Sequence, residues 1–442
     1  MNQAPKHVLV VGGGYVGMYT ALRLQRRLRR QLRAGEVQIT VVSPQSYMTY
    51  QPFLPEAAAG SLEPRHVVVP LRKVLKRADV LNGRVTKVEH FRRTAVVERI
   101  EGGSVEVPYD VIVMAPGSVA RTLPIPGLSE VGIGFKTVGE AIYLRNHVLA
   151  RLDVAASTDD LVLRKRALTF LVIGGGYAGI EAFAELEDMA HDALRYYPML
   201  KPADMHWVLV EASQRILPEV SAPMGVYTAD VLRKRNMDLR LQTRVESLTG
   251  GHVVLSDGDA FDAETVVWTA GVKPNPVLAM TDLTLDDKGR LVCTADLAIK
   301  GALGAFSAGD CAAVPDKSKD DPGALCGPSA QHAVRQAKVL ADNIVRHLAG
   351  EPLKDYEHAY AGSVASLGLG KGVAEVYGIK LKGFPAWFMH RSYHMSRVPT
   401  FNRKVRVVAD WTLALLFSRE AVSLGALQDP RSEFLRASQP PT

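Results

Sequence analysis

The stretch that decides the fold occurs twice, as His7-Val-Leu-Val-Val-Gly-Gly-Gly-Tyr-Val-Gly17 and as Leu168-Thr-Phe-Leu-Val-Ile-Gly-Gly-Gly-Tyr-Ala-Gly179. Each copy is a short apolar run that leads into a GxGxxG turn. An apolar run of this length predicts a buried parallel strand, and the glycines predict a tight turn into a helix. The glycines of the two turns are Gly12, Gly14 and Gly17 in the first copy and Gly174, Gly176 and Gly179 in the second.

The spacing of these glycines has a physical reason. The first glycine allows the tight turn, the second lets a pyrophosphate approach the backbone, and the third lets the helix pack close to the strand. The diphosphate then lies at the amino end of a helix, where free N–H groups and the helix dipole favour negative charge. One such motif is weak evidence, but two copies in a strand–turn–helix context predict two dinucleotides and a hydride passed between them.

The strand after each turn predicts a ribose contact. In the second copy the strand His206–Val210 ends at Glu211, whose carboxylate suits a ribose hydroxyl and would repel a 2′-phosphate, so NADH is favoured over NADPH. Arg215 nearby weakens this preference, and a solvated glutamate at a strand end is the alternative for Glu211. In the first copy the strand Val37–Val42 ends at Ser43, which can make one hydrogen bond to a ribose.

Composition and charge narrow the class of protein. The chain has 442 residues, of which 47% are hydrophobic and 22% charged, so we expect an ordinary globular protein of two or three domains. The net charge of +7 is compatible with an anionic membrane surface but decides nothing alone. No apolar run is long enough to span a bilayer, and the short polar amino end leads straight into a strand, so we expect no secretory signal.

The cysteines exclude several kinds of site. The three cysteines, Cys293, Cys311 and Cys326, form no CxxC pair. A disulfide scaffold, a zinc ribbon and a four-cysteine iron–sulfur cluster are therefore not expected, and we predict no metal site.

Later segments complete the pattern of a split domain. Tyr109–Gly117 and Val266–Gly271 are apolar strands that end in small residues, and Ala305–Asp310 is a strand that ends in Gly-Asp. The segment Gly327–Gln336 opens a helix predicted to run to about Leu348. The whole order resembles that of the flavoproteins with two dinucleotide-binding domains.

This resemblance implies an α/β fold of two Rossmann-like dinucleotide-binding domains, the second inserted in the first, followed by a C-terminal region that associates with a membrane. The implied divisions are an FAD-binding domain of residues 1–120 and 290–355, an NAD(P)H-binding domain of 121–289 and a C-terminal domain of 356–442.

The same resemblance assigns residues to the two cofactors. Asp310 would hold the ribityl–phosphate part of FAD, with Ala115 and Gly117 close to it, whereas a helix N-cap is the alternative for Asp310. The corresponding residues of the second copy, Ala270 and Gly271, would contact NADH.

Finer motifs resemble those of the type II NADH dehydrogenases, the single-subunit NADH:quinone oxidoreductases, over about residues 6 to 420. The segment Ser43–Gly60 contains Tyr-Gln-Pro and no cysteine, which excludes at that position the dithiol chemistry of the disulfide reductases. The other matching segments are Phe135–Arg145, Thr265–Lys273, the Ala-Gln helix start at Ala330 and Gln331 with Ala333 and Gln336, and Ser363–Gly368.

The family resemblance implies a reaction in two halves: NADH passes a hydride to FAD, and a quinone then receives two electrons. Ala330 and Gln331 would hold the pyrimidine end of the flavin, where a helix amino end favours negative charge. Gln331 and Gln336 would line the quinone path, with a solvated helix residue as the alternative for Gln336. Glu181 either handles protons or stabilises the dipole of its helix from the first turn.

Three alternatives stay open. A sulfide:quinone oxidoreductase shares the fold but needs redox cysteines, and the first 292 residues contain none; Cys326, five residues before Gln331, is more simply a packed thiol. A ferredoxin-reductase-like flavoprotein and a flavin-binding redox sensor that acts through a partner are the others.

The region after Tyr356 predicts a membrane contact. Aromatic, apolar and basic residues alternate there, as expected of an in-plane anchor, and a domain core or dimer interface is the alternative. We expect a peripheral protein, a homodimer, on the cytoplasmic face of the cell membrane. The arginine-rich helix Arg23–Arg33 has no accompanying groove-reading motif, so no nucleic-acid partner is predicted. The anchor residues are Phe384, Trp387, Phe388, His390, Arg391, Arg403, Lys404, Val405, Arg406, Val408, Trp411, Leu413, Leu415, Leu416 and Phe417.

Overall fold

The computed structural model describes residues 4–321, 323–358, 362–425 and 429–438. Up to residue 120 the strands are β1 (Lys6–Val11), β2 (Val37–Ser43), β3 (Tyr47–Thr49), β4 (Val68–Pro70), β5 (Asp79–Glu89), β6 (Thr94–Arg99), β7 (Ser104–Pro108), β8 (Val111–Met114) and β9 (Ser118–Ala120). The helices of this part are α1 (Tyr15–Arg27), α2 (Arg29–Ala34), α3 (Leu54–Ala58) and α4 (Leu71–Val74).

From residue 121 to residue 271 the strands are β10 (Gly132–Gly134), β11 (Thr169–Ile173), β12 (His206–Glu211), β13 (Asp238–Leu241), β14 (Val245–Ser247), β15 (His252–Leu255), β16 (Ala260–Asp262) and β17 (Thr265–Trp268). The helices of this part are α5 (Leu128–Val131), α6 (Val138–Ser157), α7 (Leu161–Ala167), α8 (Tyr177–Ala193) and α9 (Ala222–Arg233).

From residue 272 onward the strands are β18 (Val272–Pro274), β19 (Leu291–Val292), β20 (Ala305–Ser307), β21 (Ala312–Ala313), β22 (Gly362–Ser366), β23 (Gly372–Val376) and β24 (Ile379–Lys382). The helices are α10 (Ala330–Leu348), α11 (Phe384–Arg397), α12 (Phe401–Phe417) and α13 (Ser432–Ala437). The predicted strands thus begin within two residues of the observed ones, and the long predicted helix is α10. The predicted strands that end at Gly117, Gly271 and Asp310 stop three residues earlier in the structure. The arginine-rich helix is instead divided at Leu28 into α1 and α2.

The described residues form two compact units. The first unit comprises those of 1–49, 68–119 and 272–360, and the second comprises those of 50–67, 120–271 and 361–442.

The first unit is built on a sheet with the strand order β20-β8-β1-β2-β5-β6-β7. The strands β20, β8, β1, β2 and β5 are parallel neighbours, and β6 and β7 extend the sheet in antiparallel fashion. The apolar run of β1 is buried from Val8 to Val11, as expected of a strand with helices on both faces of its sheet. This order places the carboxyl ends of β1, β2 and β8 at one edge.

The second unit repeats this plan with a sheet of order β10-β17-β11-β12-β13, whose strands are all parallel. The strand β11 is buried along its whole length, and α8 follows it directly. The antiparallel sheet β22-β23-β24 and the helices α11 and α12 belong to the same unit.

The unit boundaries differ from the divisions expected from the sequence. Residues 272–289 group with the first unit, because Leu278 and Leu283 enter its core and the Asp282 carboxylate accepts hydrogen bonds from backbone N–H groups that follow β5. The described part of 361–442 groups with the second unit, where α11 packs on β22 and β23. Across the described ranges, no helix is both long and apolar enough to cross a membrane.

Candidate functional site

The first glycine turn has the geometry of a diphosphate cradle. Gly12 has a φ of +104°, and a Cβ on it would lie 2.2 Å from the carbonyl oxygen of Ala115. A Cβ on Gly17 would lie 1.8 Å from the carbonyl oxygen of Gly12, so the helix approaches the strand as closely as only glycine permits. A Cβ on Gly14 would meet no described atom within 4 Å. The turn is therefore closed at its first and third glycines and open at its second.

The second glycine turn repeats this geometry. Gly174 has a φ of +113°, and a Cβ on Gly179 would lie 1.9 Å from the carbonyl oxygen of Gly174. A Cβ on Gly176 would again meet no described atom within 4 Å. The helices α1 and α8 begin directly after Gly14 and Gly176, and neither receives a side-chain cap from the described residues. Their amino ends therefore suit an anion, and each turn fits one dinucleotide diphosphate.

Further predicted FAD contacts lie beside the first turn. The side chain of Ser43 is buried at the carboxyl end of β2, and a Cβ on Gly13 would lie 2.8 Å from its Oγ. Ala115 follows β8 and supplies the carbonyl oxygen that closes the turn, and Gly117 has a φ of +69°. The parallel sheet thus brings these three residues together, because the carboxyl ends of β1, β2 and β8 share one edge.

Asp310 lies in a short turn that follows β20. Its Oδ2 accepts a hydrogen bond of 2.6 Å from Ser118 Oγ. The predicted alternative, a helix cap, is wrong, because α10 begins at Ala330 and is capped by Ser329, whose Oγ accepts a hydrogen bond from the N–H of His332. Asp310 remains a candidate FAD residue.

Gln336 holds the turn that carries Asp310. Its side chain is 1% exposed, and its Oε1 accepts a hydrogen bond of 2.8 Å from the N–H of Gly309. The solvated alternative for Gln336 is therefore wrong. The geometry favours a positioning role over the predicted contact with quinone, because the amide oxygen is already used inside the first unit.

The predicted flavin contacts at the start of α10 are Ala330 and Gln331, and both are half-buried. The Oε1 of Gln331 lies 3.2 Å from Nε2 of His358. His332 Nδ1 lies 2.8 Å from the hydroxyl oxygen of Tyr356. The sequence analysis did not identify these two histidines as neighbours of the helix start. The signal that could have located the start itself is Ser329, a recognisable N-cap residue before Ala-Gln.

Glu211 lies against the second glycine turn. Its Oε2 accepts a hydrogen bond of 2.6 Å from the N–H of Gly175, and its Oε1 accepts one of 2.7 Å from the N–H of Ser213. Glu211 is thus a half-buried strand-end residue whose carboxylate is held by two backbone N–H groups. The guanidinium of Arg215 donates to the carbonyl oxygens of Val220 and Pro218, so it is engaged within its own loop.

Ala270 and Gly271 follow β17 beside the same turn. Gly271 has a φ of +94°. The neighbouring Thr269 Oγ1 lies 3.2 Å from the carbonyl oxygen of Gly174. The NADH contacts predicted in the second copy therefore occupy one corner of the second unit, where β11, β12 and β17 end.

Glu181 does not act on the helix dipole. Because α8 begins at Tyr177, Glu181 lies in its second turn, and its side chain is buried. Its Oε1 accepts a hydrogen bond of 2.9 Å from the N–H of Ser366 and lies 3.1 Å from Nε2 of His390. The predicted dipole role is therefore wrong, and the proton role stays a prediction.

Glu181 belongs to a set of buried charges in the second unit that the sequence analysis did not identify. We call this set the buried ionic cluster; its members are Glu56, Glu181, Glu185, His390, Arg391 and Arg419. Its pairs join residues up to several hundred positions apart, so no local pattern signals them. The prediction that His390 and Arg391 belong to the membrane anchor is wrong, because both side chains are buried in the second unit.

The arginines of the cluster pair with its other carboxylates. Arg391 lies 3.2 Å from Glu56 Oε2, and its guanidinium stacks between the rings of Trp387 and Trp411. Arg419 Nη1 lies 3.3 Å from Glu185 Oε2.

The pKa values within the cluster follow from burial and pairing. Burial raises the pKa of Glu185, and the nearby Arg419 only partly opposes this. Burial lowers the pKa of His390, but the carboxylates of Glu181, Glu56 and Glu185 outweigh it, so the net shift is upward.

The cysteines do not support dithiol chemistry. All three are free and buried. Burial raises the pKa of Cys311 to about 11 and that of Cys326 to about 11, and it raises the pKa of Cys293 further. The thiols therefore stay protonated at neutral pH, and the sulfide:quinone alternative is not favoured.

Comparisons with known proteins identify the family. The family described as pyridine nucleotide-disulphide oxidoreductase matches residues 6–337. A type II NADH:quinone oxidoreductase of Staphylococcus epidermidis is 30% identical over 397 residues, which cover 88% of this chain and 94% of that protein. One of Mycobacterium tuberculosis is 26% identical over 430 residues, covering 93% of this chain and 88% of that protein.

A solved structure shares the fold. That of NDH2 from Plasmodium falciparum in complex with NADH has a TM-score of 0.84 at 16% identity and covers 94% of this chain and 99% of its own. The family resemblance inferred from the sequence is thus confirmed. The chain belongs to the pyridine nucleotide-disulphide oxidoreductase family and, within it, to the type II NADH:quinone oxidoreductases.

Proposed function

We propose that the protein is an NADH:quinone oxidoreductase that holds FAD in its first glycine turn and NADH in its second. The observation that carries this proposal is the repeated cradle, closed at its first and third glycines and open at its second. FAD, when bound, supplies a ring that accepts the hydride of NADH and passes two electrons on to a quinone.

Residues of the first unit would bind FAD. The amino end of α1 faces the open side of the first turn and favours the negative charge of a diphosphate. Ser43, Ala115, Gly117 and Asp310 then extend the site along the carboxyl edge of the sheet. At α10, the amino end of the helix at Ala330 would favour negative charge on the pyrimidine end of the flavin.

The second unit favours NADH over NADPH. The Glu211 carboxylate, held by two backbone N–H groups, repels a 2′-phosphate and accepts a hydrogen bond from a ribose hydroxyl. Arg215, the cation expected to accommodate a 2′-phosphate, is occupied by two carbonyl oxygens of its own loop.

We propose that α11 and α12 bind the cytoplasmic face of the cell membrane. Large apolar side chains stand exposed along both helices, among them Phe401 at 82% and Phe417 at 77%. Arg403, Lys404 and Arg406 lie on α12 between them and would attract anionic lipids. Such a surface gives the enzyme access to a quinone dissolved in the bilayer.

The homodimer expected from the sequence is part of the same proposal. A second copy of the chain would pack on part of the apolar face of α12, and lipid would contact the rest of that face. Sedimentation in a non-denaturing detergent measures the oligomeric state, and a monomer at all concentrations would contradict the dimer.

The open glycines allow a sharp test of the two cradles. Gly14 and Gly176 have φ values of −73° and −76°, which any L-residue adopts, and a Cβ on either meets free space. Gly14→Ala should therefore fold but lose flavin absorbance, and Gly176→Ala should keep the flavin but show a raised KM for NADH. Gly139→Ala in α6 is the matched control, because its Cβ meets no more than an ordinary contact.

Anaerobic addition of NADH to the wild-type protein should bleach the flavin absorbance, and a soluble quinone analogue should restore it. Bleaching without recovery would contradict the quinone half of the reaction. A protein that cannot be reconstituted with FAD would contradict the whole proposal.

A further inference from the structure

The second turn of α8 is joined to the C-terminal part of the second unit by a buried ion pair. Glu181 and His390 are 7% and 1% exposed, and Glu181 Oε1 lies 3.1 Å from His390 Nε2. Glu181 follows Gly179 by two residues, and Gly179 is the glycine that presses α8 against the cradle. A residue that fixes the position of Glu181 therefore also fixes α8, the helix whose amino end is the proposed binding site of the NADH diphosphate.

The charged groups around this pair favour a protonated His390. The carboxylates that face it are Glu181 and Glu185 on α8 and Glu56 on α3, and the guanidiniums are Arg391 on α11 and Arg419 beyond α12. The three carboxylates outnumber the two guanidiniums, and the guanidinium of Arg419 also faces two aspartates of α8, so an imidazolium is favoured at this place. An uncompensated buried charge is costly, so the cluster favours the proton.

The remaining neighbours do not supply that charge. His394 lies one turn further along α11, and burial holds its pKa well below its usual range, so it stays neutral. Ser366 on β22 is a hydrogen-bond donor to both Glu181 and Glu185 and carries no charge.

The contact with Glu181 orients the ring. His390 Nε2 lies 3.1 Å from Glu181 Oε1, within hydrogen-bonding reach, and Nδ1 has no hydrogen-bond partner among the described residues. Protonation of the ring adds a charge attraction to this contact, which a neutral imidazole lacks.

We propose that His390 is a positioning residue for NADH oxidation: as an imidazolium it holds Glu181 and thereby keeps the amino end of α8 in place for the NADH diphosphate. The inference rests on the proposed function and deepens its NADH half. His390 acts on binding through α8, so it changes the KM for NADH and leaves kcat nearly unaltered at saturating NADH.

The proposal predicts a pH dependence. The three carboxylates raise the pKa of His390, so the imidazolium persists above the ordinary pKa of 6.5 and is lost as the pH rises further. The KM for NADH should therefore be low and constant at acidic and neutral pH and should rise on the alkaline side.

The test compares three variants of the full-length, FAD-loaded enzyme with wild type between pH 6 and pH 10. His390→Gln removes the charge and should raise the KM for NADH roughly tenfold at neutral pH, with no alkaline rise. His390→Lys restores a cation and should return the KM towards wild type. His394→Gln is the matched control, because it replaces a histidine that is already neutral, and its KM profile should follow that of wild type.

Flavin content and the temperature of unfolding are measured for each variant. An unchanged KM for His390→Gln, or a loss of flavin and stability with the same KM profile, would overturn the proposal and leave His390 a structural residue. If His390→Gln does not fold, Glu181→Gln is measured in its place and should abolish the alkaline rise in the KM for NADH. A rise that persists in Glu181→Gln would also overturn the proposal. A wild-type flavin that NADH does not bleach would instead refute the proposed function.

Discussion

Replacing Arg419 by methionine should destabilise the second unit strongly. The side chain of Arg419 is 4% exposed, and its guanidinium lies 3.3–3.5 Å from the carboxylates of Glu185, Asp188 and Asp192 on α8. Methionine keeps much of the apolar stem and removes the charge. Glu185, which is fully buried, would then lose its cation and keep only its hydrogen bond from Ser366 Oγ.

The size of the effect follows from this burial. Removing one partner of a buried ion pair costs about 3–5 kcal/mol, because the remaining charge is left without compensation. At about 2–4 °C per kcal/mol for a unit of this size, the unfolding temperature should fall by roughly 6–20 °C. Glu185→Gln in the same molecule should recover most of the loss, because no buried charge then remains unpaired.

The pH dependence of the defect has a definite sign. Burial already raises the pKa of Glu185, and loss of Arg419 removes a group that opposes this. Above that raised pKa the unpaired carboxylate destabilises Arg419→Met. As the pH falls from there towards the ordinary value of 4.5, Glu185 takes up a proton and the difference from wild type should shrink.

Differential scanning fluorimetry and urea unfolding between pH 5 and pH 8 measure the change. Arg240→Met is the matched control, because Arg240 also lies among three aspartates but is 33% exposed, and its loss should cost less than about 1 kcal/mol. Equal losses for the two variants, or a defect of Arg419→Met that does not shrink at low pH, would refute the reasoning.

Three further changes test the site and the membrane surface. Gln336→Leu leaves the N–H of Gly309 without its acceptor, at a cost of about 1–3 kcal/mol, and should lower the flavin content read from the absorbance ratio. Glu211→Ala should raise the KM for NADH without creating activity with NADPH, as steady-state assays with both nucleotides would show. Leu416→Asp with Phe417→Asp should release the protein from anionic vesicles in a flotation assay and leave NADH oxidation with a soluble quinone unchanged.

The two glycine turns were predictable because their signals are local. A strand, a tight turn and a helix follow one another within about a dozen residues, and each glycine of the turn is required by its own backbone. Ser43 followed from the end of the next strand, whereas Ala115 and Gly117 were implied by the family resemblance; the structure places all three at the edge where the carboxyl ends of neighbouring parallel strands meet.

The roles of single side chains were predicted less well, because each depends on a distant partner. Gln336 was predicted to line the quinone path, with a solvated helix residue as the alternative, yet Gly309, 27 residues earlier, uses its amide oxygen. Glu181 could be assigned to the helix dipole until the start of α8 at Tyr177 placed it in the second turn. The unit boundary near residue 272 likewise depends on Leu278 and Leu283 packing into a core formed much earlier in the chain.

The sequence by itself determined the two dinucleotide cradles and the order of the elements around them, since hydrophobic periodicity and glycine conformation act over a few residues. Only the tertiary structure decided which charges are buried together. His390, Arg391 and Arg419 reach Glu181, Glu56 and Glu185 across more than 200 residues. These contacts result from tertiary packing, and no spacing pattern along the chain indicates them.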